Sequence, residues 1–193
     1  LHRQILFSEQ DVGRPKLEAA GERLNALAPH VKLELFEHRL LPSNALELVR
    51  AFDLVVEGSD NFATKFLTAD ACFLAERPVV HAAAVRWHGT ALAVDRRGAP
   101  CYRCVFEDLP TGFTPNCAEA GVVGPMVGVI AASQADLALS MLGGGDVAGE
   151  LVRFDGKTLA TRRRRISPRR DCALCGNRPR IFDVAPARYT GPS

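Results

Sequence analysis

The sequence predicts an α/β protein, with a mixed, mainly parallel sheet, helices on both faces and a four-cysteine zinc site. Three observations predict it. Helical and strand-like segments alternate along most of the 193 residues. The strand-like segments are short, nearly continuous apolar runs, the pattern of strands covered on both faces. Two Cys-x-x-Cys pairs, "CYRC" at 101 to 104 and "CALC" at 172 to 175, stand far apart in a chain with six cysteines.

Each element has its own signal. "RPKLEAAGERLNALAP" places Leu17, Ala20, Leu24 and Leu27 at helical spacing, with Pro15 suited to the first turn. "VKLELFEH" alternates Val31, Leu33 and Leu35 with Lys32 and Glu34, as a strand does. "SNALELVRAF" reads as a short helix capped by Ser43. "DLVVEGSDN" is a brief apolar strand ending in small polar residues, and "FATKFLTADACFLAE" is helical, with Cys72 in its core. "PVVHAAAV" and "TALAVD" are strands on either side of Trp87 to Gly89. After the first cysteine pair come a polar loop, Phe106 to Glu119, a long apolar helix, and the strands "ELVRFDG" and "TLATRRR". The later strands read as antiparallel or mixed. The prolines of "NRPRIFDVAPARYTGPS" predict an extended, poorly packed tail.

Composition narrows the function classes. The formal net charge of +2 is too balanced to argue for nucleic acid. The basic run "TRRRRISPRR", Thr161 to Arg170, reads as a solvated strand and loop, with an acidic partner surface as the alternative. "GVVGPMVGVIAASQADLALSML" is interrupted by Pro125, Gln134 and Asp136, so a buried helix is expected rather than a membrane span. No secretory leader is read, and a cytoplasmic protein is expected.

In a reducing compartment, paired Cys-x-x-Cys motifs bind metal more often than they form disulfides. Cys101, Cys104, Cys172 and Cys175 supply the four thiolates that structural zinc takes in a tetrahedral site. Iron suits the same ligands. A redox dithiol needs only one pair and a thioredoxin-like context, which is missing. A closed site of four ligands leaves no position for substrate, so catalysis is sought elsewhere.

Ligands of open α/β sheets bind beyond the carboxyl ends of the strands. "DLVVEG" ends at "SDN", which puts Asp60 and Asn61 at such an edge. Asp60 there suits Mg2+ carried with nucleotide phosphates, or it merely caps the helix that follows. Arg3, Gln4 and Lys16 lie before or at a helix start, where cations grip phosphate or are simply solvated. Cys117, in "TPNCAEAG", precedes a helix, a setting that favours thiolate; the alternative is an idle loop cysteine.

The ordered motifs "LHRQ", "VGRPK", "GSDN", "AAVRWHG", "CYRC", "NCAEAGVVGPMVGV", "FDG" and "CALCG" resemble the ThiF/MoeB/HesA family, from Leu1 to about Gly176. These are adenylyltransferases that activate ubiquitin-like sulfur-carrier proteins. The resemblance implies a Rossmann-like domain over 1–176, lacking the family's N-terminal glycine-rich loop, and an extended tail over 177–193. It implies ATP-dependent adenylation of a carrier's C-terminal glycine, with the carrier ending in Gly-Gly. The carrier would be ThiS- or MoaD-like, serving thiamine or molybdopterin synthesis, with the thiamine branch the nearer match.

Site roles follow residue by residue. Asp60 resembles the aspartate that coordinates Mg2+ and ATP. Arg3 and Lys16 resemble the residues that neutralise the triphosphate, and Gln4 sits in the same motif as Arg3. Asn61 helps position the nucleotide, and Lys65 stands where many relatives carry Arg. Arg86 matches a motif arginine near the carrier-binding region and is grouped with the nucleotide-binding set. Cys117 matches a cysteine that the thiamine branch joins to the carrier through sulfur. The resemblance also implies a homodimer, a separate sulfur donor, and no nucleic acid or membrane partner. A second reading is a non-catalytic, zinc-pinned module that holds a carrier protein.

Overall fold

The computed structural model describes residues 1–110 and 120–190. The chain divides into two compact units, Leu1–Arg39 and Leu40–Ser193.

In the first unit a single 3-10 turn, Glu9–Asp11, precedes helix α1, Lys16–Leu27. The carboxylate of Asp11 accepts from both the backbone N–H and the hydroxyl of Ser8, at 2.8 Å each, which satisfies a donor at the turn's start. Pro15 is the N-cap of α1, one residue ahead of the expected first turn. Only Ala19 and Gly21 of α1 are buried, and Leu24 and Leu27 are exposed. The expected strand over "VKLELFEH" does not form: residues 31–38 belong to no ladder. Alternation makes a one-sided ribbon, but a strand also needs a neighbour for its N–H and C=O groups.

The second unit holds a five-stranded sheet in the order β1-β2-β3-β4-β5: Val55–Glu57, Val79–Val85, His88–Val94, Glu150–Asp155 and Ala160–Arg165. The mixed character is as expected, but the parallel part is smaller. β1 and β2 pair in parallel, and the other three pairings are antiparallel. Parallel neighbours need a crossover. Helix α3, Phe62–Leu74, supplies one between β1 and β2. β2 turns straight into β3 through Arg86 and Trp87, with Val85 opposite His88 and Arg86 in the left-handed region at φ 53°.

Alternation along the strands sorts the core into two layers. Val79, Leu92, Val94 and Leu151 face α3 and the short helix α2, Ala45–Arg50. Asn44, not Ser43, occupies the N-cap of α2, and its side chain accepts from Leu41 N–H instead. On the opposite face Val80, Ala82, Ala91, Ala93 and Val152 pack with Ile130, Leu137 and Ala138 of the long helix. We number α4, Arg103–Phe106, and α5, Gly124–Leu142. Helix α5 has the length and composition of a membrane span, yet it lies on β2 and β3. It approaches so closely that a Cβ at Gly89 would stand 2.0 Å from Ile130 Cγ1. Cys72 is fully buried in α3, as expected, and burial pushes its thiol up to about 12.

The tail departs from expectation. Ile181, Val184 and Tyr189 are buried, and Tyr189 Oη donates to Asp70 Oδ2 at 2.8 Å. Proline content predicts extension but not exposure. Extended chain with well-spaced apolar side chains packs against α3 and the cysteine region.

Candidate functional site

β1 ends at Glu57, and the turn Gly58-Ser59-Asp60 leads into α3. The Asn61 side chain accepts from Thr64 N–H at 2.8 Å, so Asn61 is the cap of α3. Asp60, the alternative cap, is therefore not the helix cap. Asp60 is exposed, and its carboxylate has no hydrogen bond or ion pair among the described residues. A carboxylate without protein partners, at the carboxyl end of a parallel strand and beside a helix N-terminus, can bind a hard cation such as Mg2+.

Beneath the turn lies a buried polar cluster that the sequence reading did not assemble. Glu57 Oε1 accepts from Ser59 N–H at 2.6 Å and from Ser59 Oγ at 2.5 Å. Its other oxygen, Oε2, takes Lys65 Nζ at 2.8 Å and lies 3.2 Å from His81 Nδ1. Lys65 Nζ also donates to the Ala82 carbonyl at 2.6 Å. Lys65 is thus buried and directed at Glu57 and β2, a different environment from the expected nucleotide contact. Burial pushes the Glu57 carboxyl up, but the His81 hydrogen bond and the Lys65 charge outweigh it and hold the group at about 2. Burial pushes His81 below its ordinary value despite Glu57, so it is a neutral imidazole donating through Nδ1–H. Gln134 of α5 completes the cluster, donating to the backbone carbonyls of Glu57 at 2.8 Å and Val80 at 2.7 Å. The available signal was a polar residue inside an apolar run: His81 in "VVHAAAV" and Gln134 in α5.

The four cysteines come together as expected. Cys101 and Cys104 flank the start of α4, and Cys172 and Cys175 lie in the turn after β5. All four Sγ atoms lie within 4.8 Å of one another, and none forms a disulfide. The 101–104, 101–172 and 104–175 separations are 3.9, 3.5 and 3.3 Å. Thiolates at about 2.3 Å from one tetrahedral zinc stand about 3.8 Å apart, so the set fits such an ion. Arg169 N–H points at Cys104 Sγ at 3.4 Å, as a backbone donor does to a metal-bound thiolate. Gly176 is required by the turn, because a Cβ there would lie 2.5 Å from the Cys172 carbonyl oxygen.

The two residues between the first cysteines both pack on Phe66 but find different polar neighbours. Tyr102 packs against His81 with ring centroids 4.5 Å apart and the ring planes tilted by 41°. Arg103 forms a buried two-pronged pair with Asp70 at 2.8 and 2.9 Å and lies over the Phe66 ring at 4.7 Å. The spacing of "CYRC" drew attention to its cysteines, and Arg103 was assigned nothing from sequence.

The remaining predicted residues are distributed as follows. Arg3, Gln4 and Lys16 belong to the first unit, with Lys16 opening α1. Asp60, Asn61, Lys65, Arg86 and the cluster cysteines belong to the second. Arg86 is exposed at the β2–β3 turn, and its backbone pairs with residues 121 and 123 through 2.9 and 3.1 Å bonds. Cys117 lies outside the described residues.

Comparison with known proteins gives the relationships. Residues 1–175 match the ThiF family. The chain is 39% identical over 187 residues to a sulfur carrier protein adenylyltransferase of Thermus thermophilus, covering 93% of this chain and 69% of that protein. It is 38% identical over 187 residues to adenylyltransferase and sulfurtransferase MOCS3 of Drosophila sechellia, covering 95% of this chain but 41% of that one. The chain thus spans about two-fifths of the MOCS3 relative's length. Among solved structures, E. coli MccB with AMPCPP and MccA superposes with a TM-score of 0.75 at 20% identity, over 92% of this chain and 55% of MccB. PaaA superposes with a TM-score of 0.67 at 15% identity, over 86% of this chain and 60% of PaaA. These two likenesses speak to the fold: a mixed sheet with helices, here carrying a four-cysteine cluster and a free aspartate at the end of β1. With the match running from residue 1 to residue 175, the chain belongs to the ThiF family.

Proposed function

We propose that this chain is the adenylating part of an enzyme that activates the C-terminal glycine of a ubiquitin-like sulfur-carrier protein with ATP. The observation that carries the reading is Asp60, an exposed carboxylate with no partner among the described residues, on a pinned turn at the carboxyl end of β1. Family membership and the names of the relatives support it. In this reading a carrier carboxylate oxygen attacks the α-phosphorus, the bond from that phosphorus to the bridging oxygen breaks, and pyrophosphate leaves. The products are an acyl-adenylate and pyrophosphate. No general base is needed, because the glycine carboxylate is ionised near neutral pH. The chain's work is positioning and charge stabilisation.

Asp60 would hold Mg2+, which supplies charge neutralisation when bound with ATP, and Asn61 fixes the turn beside it. Arg3, Gln4 and Lys16 are assigned to the phosphates, and Arg86 to the region where the carrier approaches. Lys65 acts from beneath, through Glu57. The cysteine cluster is assigned structural Zn2+, which would bind Cys101, Cys104, Cys172 and Cys175 and join two distant segments. Cys117 is assigned to sulfur transfer after adenylation, with a separate sulfur donor. The thiamine and molybdopterin pathways both use such carriers, and the MOCS3 relatives favour neither ThiS-like nor MoaD-like substrate for this chain. A cytoplasmic homodimer completes the reading, supported by the exposed Val129, Leu139 and Leu142 on α5.

The test is carrier-dependent exchange of labelled pyrophosphate into ATP by the full-length protein. Asp60→Ala should abolish exchange while leaving the fold intact. Undiminished exchange would sink the assignment. Carrier binding without any ATP binding in the unsubstituted protein would favour the non-catalytic module instead.

A further inference from the structure

We propose that Glu57 is the positioning residue of the Asp60 turn, fixing the aspartate from the core through Ser59. The inference rests on the reading of Asp60 as the Mg2+-ATP ligand. Its basis is how the buried carboxylate divides its two oxygens. Oε1 faces outward to the turn and takes both donors of Ser59, at 2.6 and 2.5 Å. Oε2 faces inward and takes Lys65 at 2.8 Å and His81 at 3.2 Å. All these groups are donors, so only an ionised carboxylate can satisfy the whole set. A buried carboxylate is costly unless paired, and the Lys65 charge supplies the pairing.

The geometry makes the turn stiff on both sides of Asp60. Ser59 is tethered backward to Glu57, and Asn61 is tethered forward to Thr64. Asp60 lies between the two tethers with its own carboxylate uncommitted. The tethers reach different elements, β1 and α3, which are themselves joined by the Lys65–Glu57 pair, while Gln134 of α5 ties β1 to β2 through the Glu57 and Val80 carbonyls. Tyr102 packed against His81 closes the far side. A three-residue turn without these contacts would have to be ordered when nucleotide binds, at a cost in conformational entropy. Glu57 removes that cost beforehand, and catalytic rates are sensitive to displacements of about 1 Å.

The experiment compares Ser59→Ala, Ser59→Thr and Asp60→Ala in the full-length protein. Each is measured by carrier-dependent pyrophosphate exchange against Mg2+ concentration, and by thermal unfolding. Ser59 is only half-buried, so Ser59→Ala spares the core that Glu57→Gln would disturb. Ser59→Ala should lower the exchange rate about tenfold and raise the Mg2+ needed for half-maximal rate, with the carrier KM and the unfolding midpoint unchanged. Ser59→Thr keeps the hydroxyl and should restore both. If Asp60→Ala abolishes exchange but Ser59→Ala leaves rate and Mg2+ dependence within twofold, the positioning role is overturned while the functional reading stands. If Asp60→Ala retains exchange, the functional reading falls, and the positioning role falls with it.

Discussion

Glu57 and Asp70 are both buried carboxylates paired with a cation from another element, yet they serve different ends. Asp70 spends its oxygens wholly inside the fold: two on the Arg103 guanidinium and one shared with Tyr189 Oη. Those bonds tie α3 to α4, which begins inside the first cysteine pair, and to the chain's tail. Glu57 spends only one oxygen inside and turns the other to the loop that presents Asp60. The same device therefore closes the structure in one place and aims a surface group in another. The difference lies in where the second oxygen points: a carboxylate at a strand end has an open side, and one in mid-helix has none.

The largest blow to this comparison should come from removing the metal. A closed four-thiolate site contributes folding free energy directly. Native mass spectrometry should find one zinc ion per chain, and chelation should lower the unfolding midpoint more than any single substitution. Arg103 lies between two of the ligands, so the Asp70 side should loosen first, seen as faster amide exchange in α4 than around β1. Loss of zinc without change in stability or exchange would break the assignment.

Next in size is Asp70→Ala. It leaves the buried Arg103 guanidinium with only the exposed Asp108 carboxylate and the Glu107 carbonyl, and a loss of about 3 kcal/mol is expected in chemical denaturation. Tyr189→Phe at the same carboxylate should cost less, about 1 kcal/mol, because the ion pair survives. A loss under 1 kcal/mol for Asp70→Ala would show that the Arg103 pair is not a closing contact.

The smallest effect concerns the Glu57 side and is read from pH. The folded His81 is held below its ordinary 6.5, so the unfolded chain binds the proton first, and stability should decline as pH falls through about 6.5. The folded Glu57 titrates at about 2 instead of 4.5, so its contribution is present above 4.5 and is lost as pH falls from there toward 2. A denaturation series should therefore show two acid limbs. His81→Gln keeps a donor for Glu57 without a titrating ring, and it should flatten the upper limb alone. An unchanged upper limb would remove His81 from the account.

Much of the second unit was legible because its signals are local. Apolar runs marked β1 to β4, the basic "TLATRRR" was read as the last strand, and helical spacing marked α3 and α5. The spacing of "CYRC" and "CALC" was enough to anticipate a shared site, since thiolates have few other reasons to be paired so. Legibility failed where an outcome depends on a partner distant in sequence. "VKLELFEH" has the alternation of a strand but no ladder. Lys65 reads as a nucleotide-site cation by its place in the motif, yet Glu57, eight residues earlier, draws it inward. The tail reads as loose by its prolines, yet Tyr189 finds Asp70 across 119 residues.

The sequence by itself determined the strands and long helices of the second unit, the four-thiolate set, and a small polar turn with Asp60 after an apolar strand. These follow from periodicity, ligand chemistry and the poor fit of Ser, Asp and Asn inside a strand. Only the tertiary structure decided that Asn61 and not Asp60 caps α3, that one strand pairing is parallel and three are antiparallel, and that Glu57 divides its oxygens between core and turn. The physical reason is that buried charge must find its counter-charge and its donors wherever the fold brings them. Those partners come from β1, α3, β2 and α5, segments that no local pattern connects.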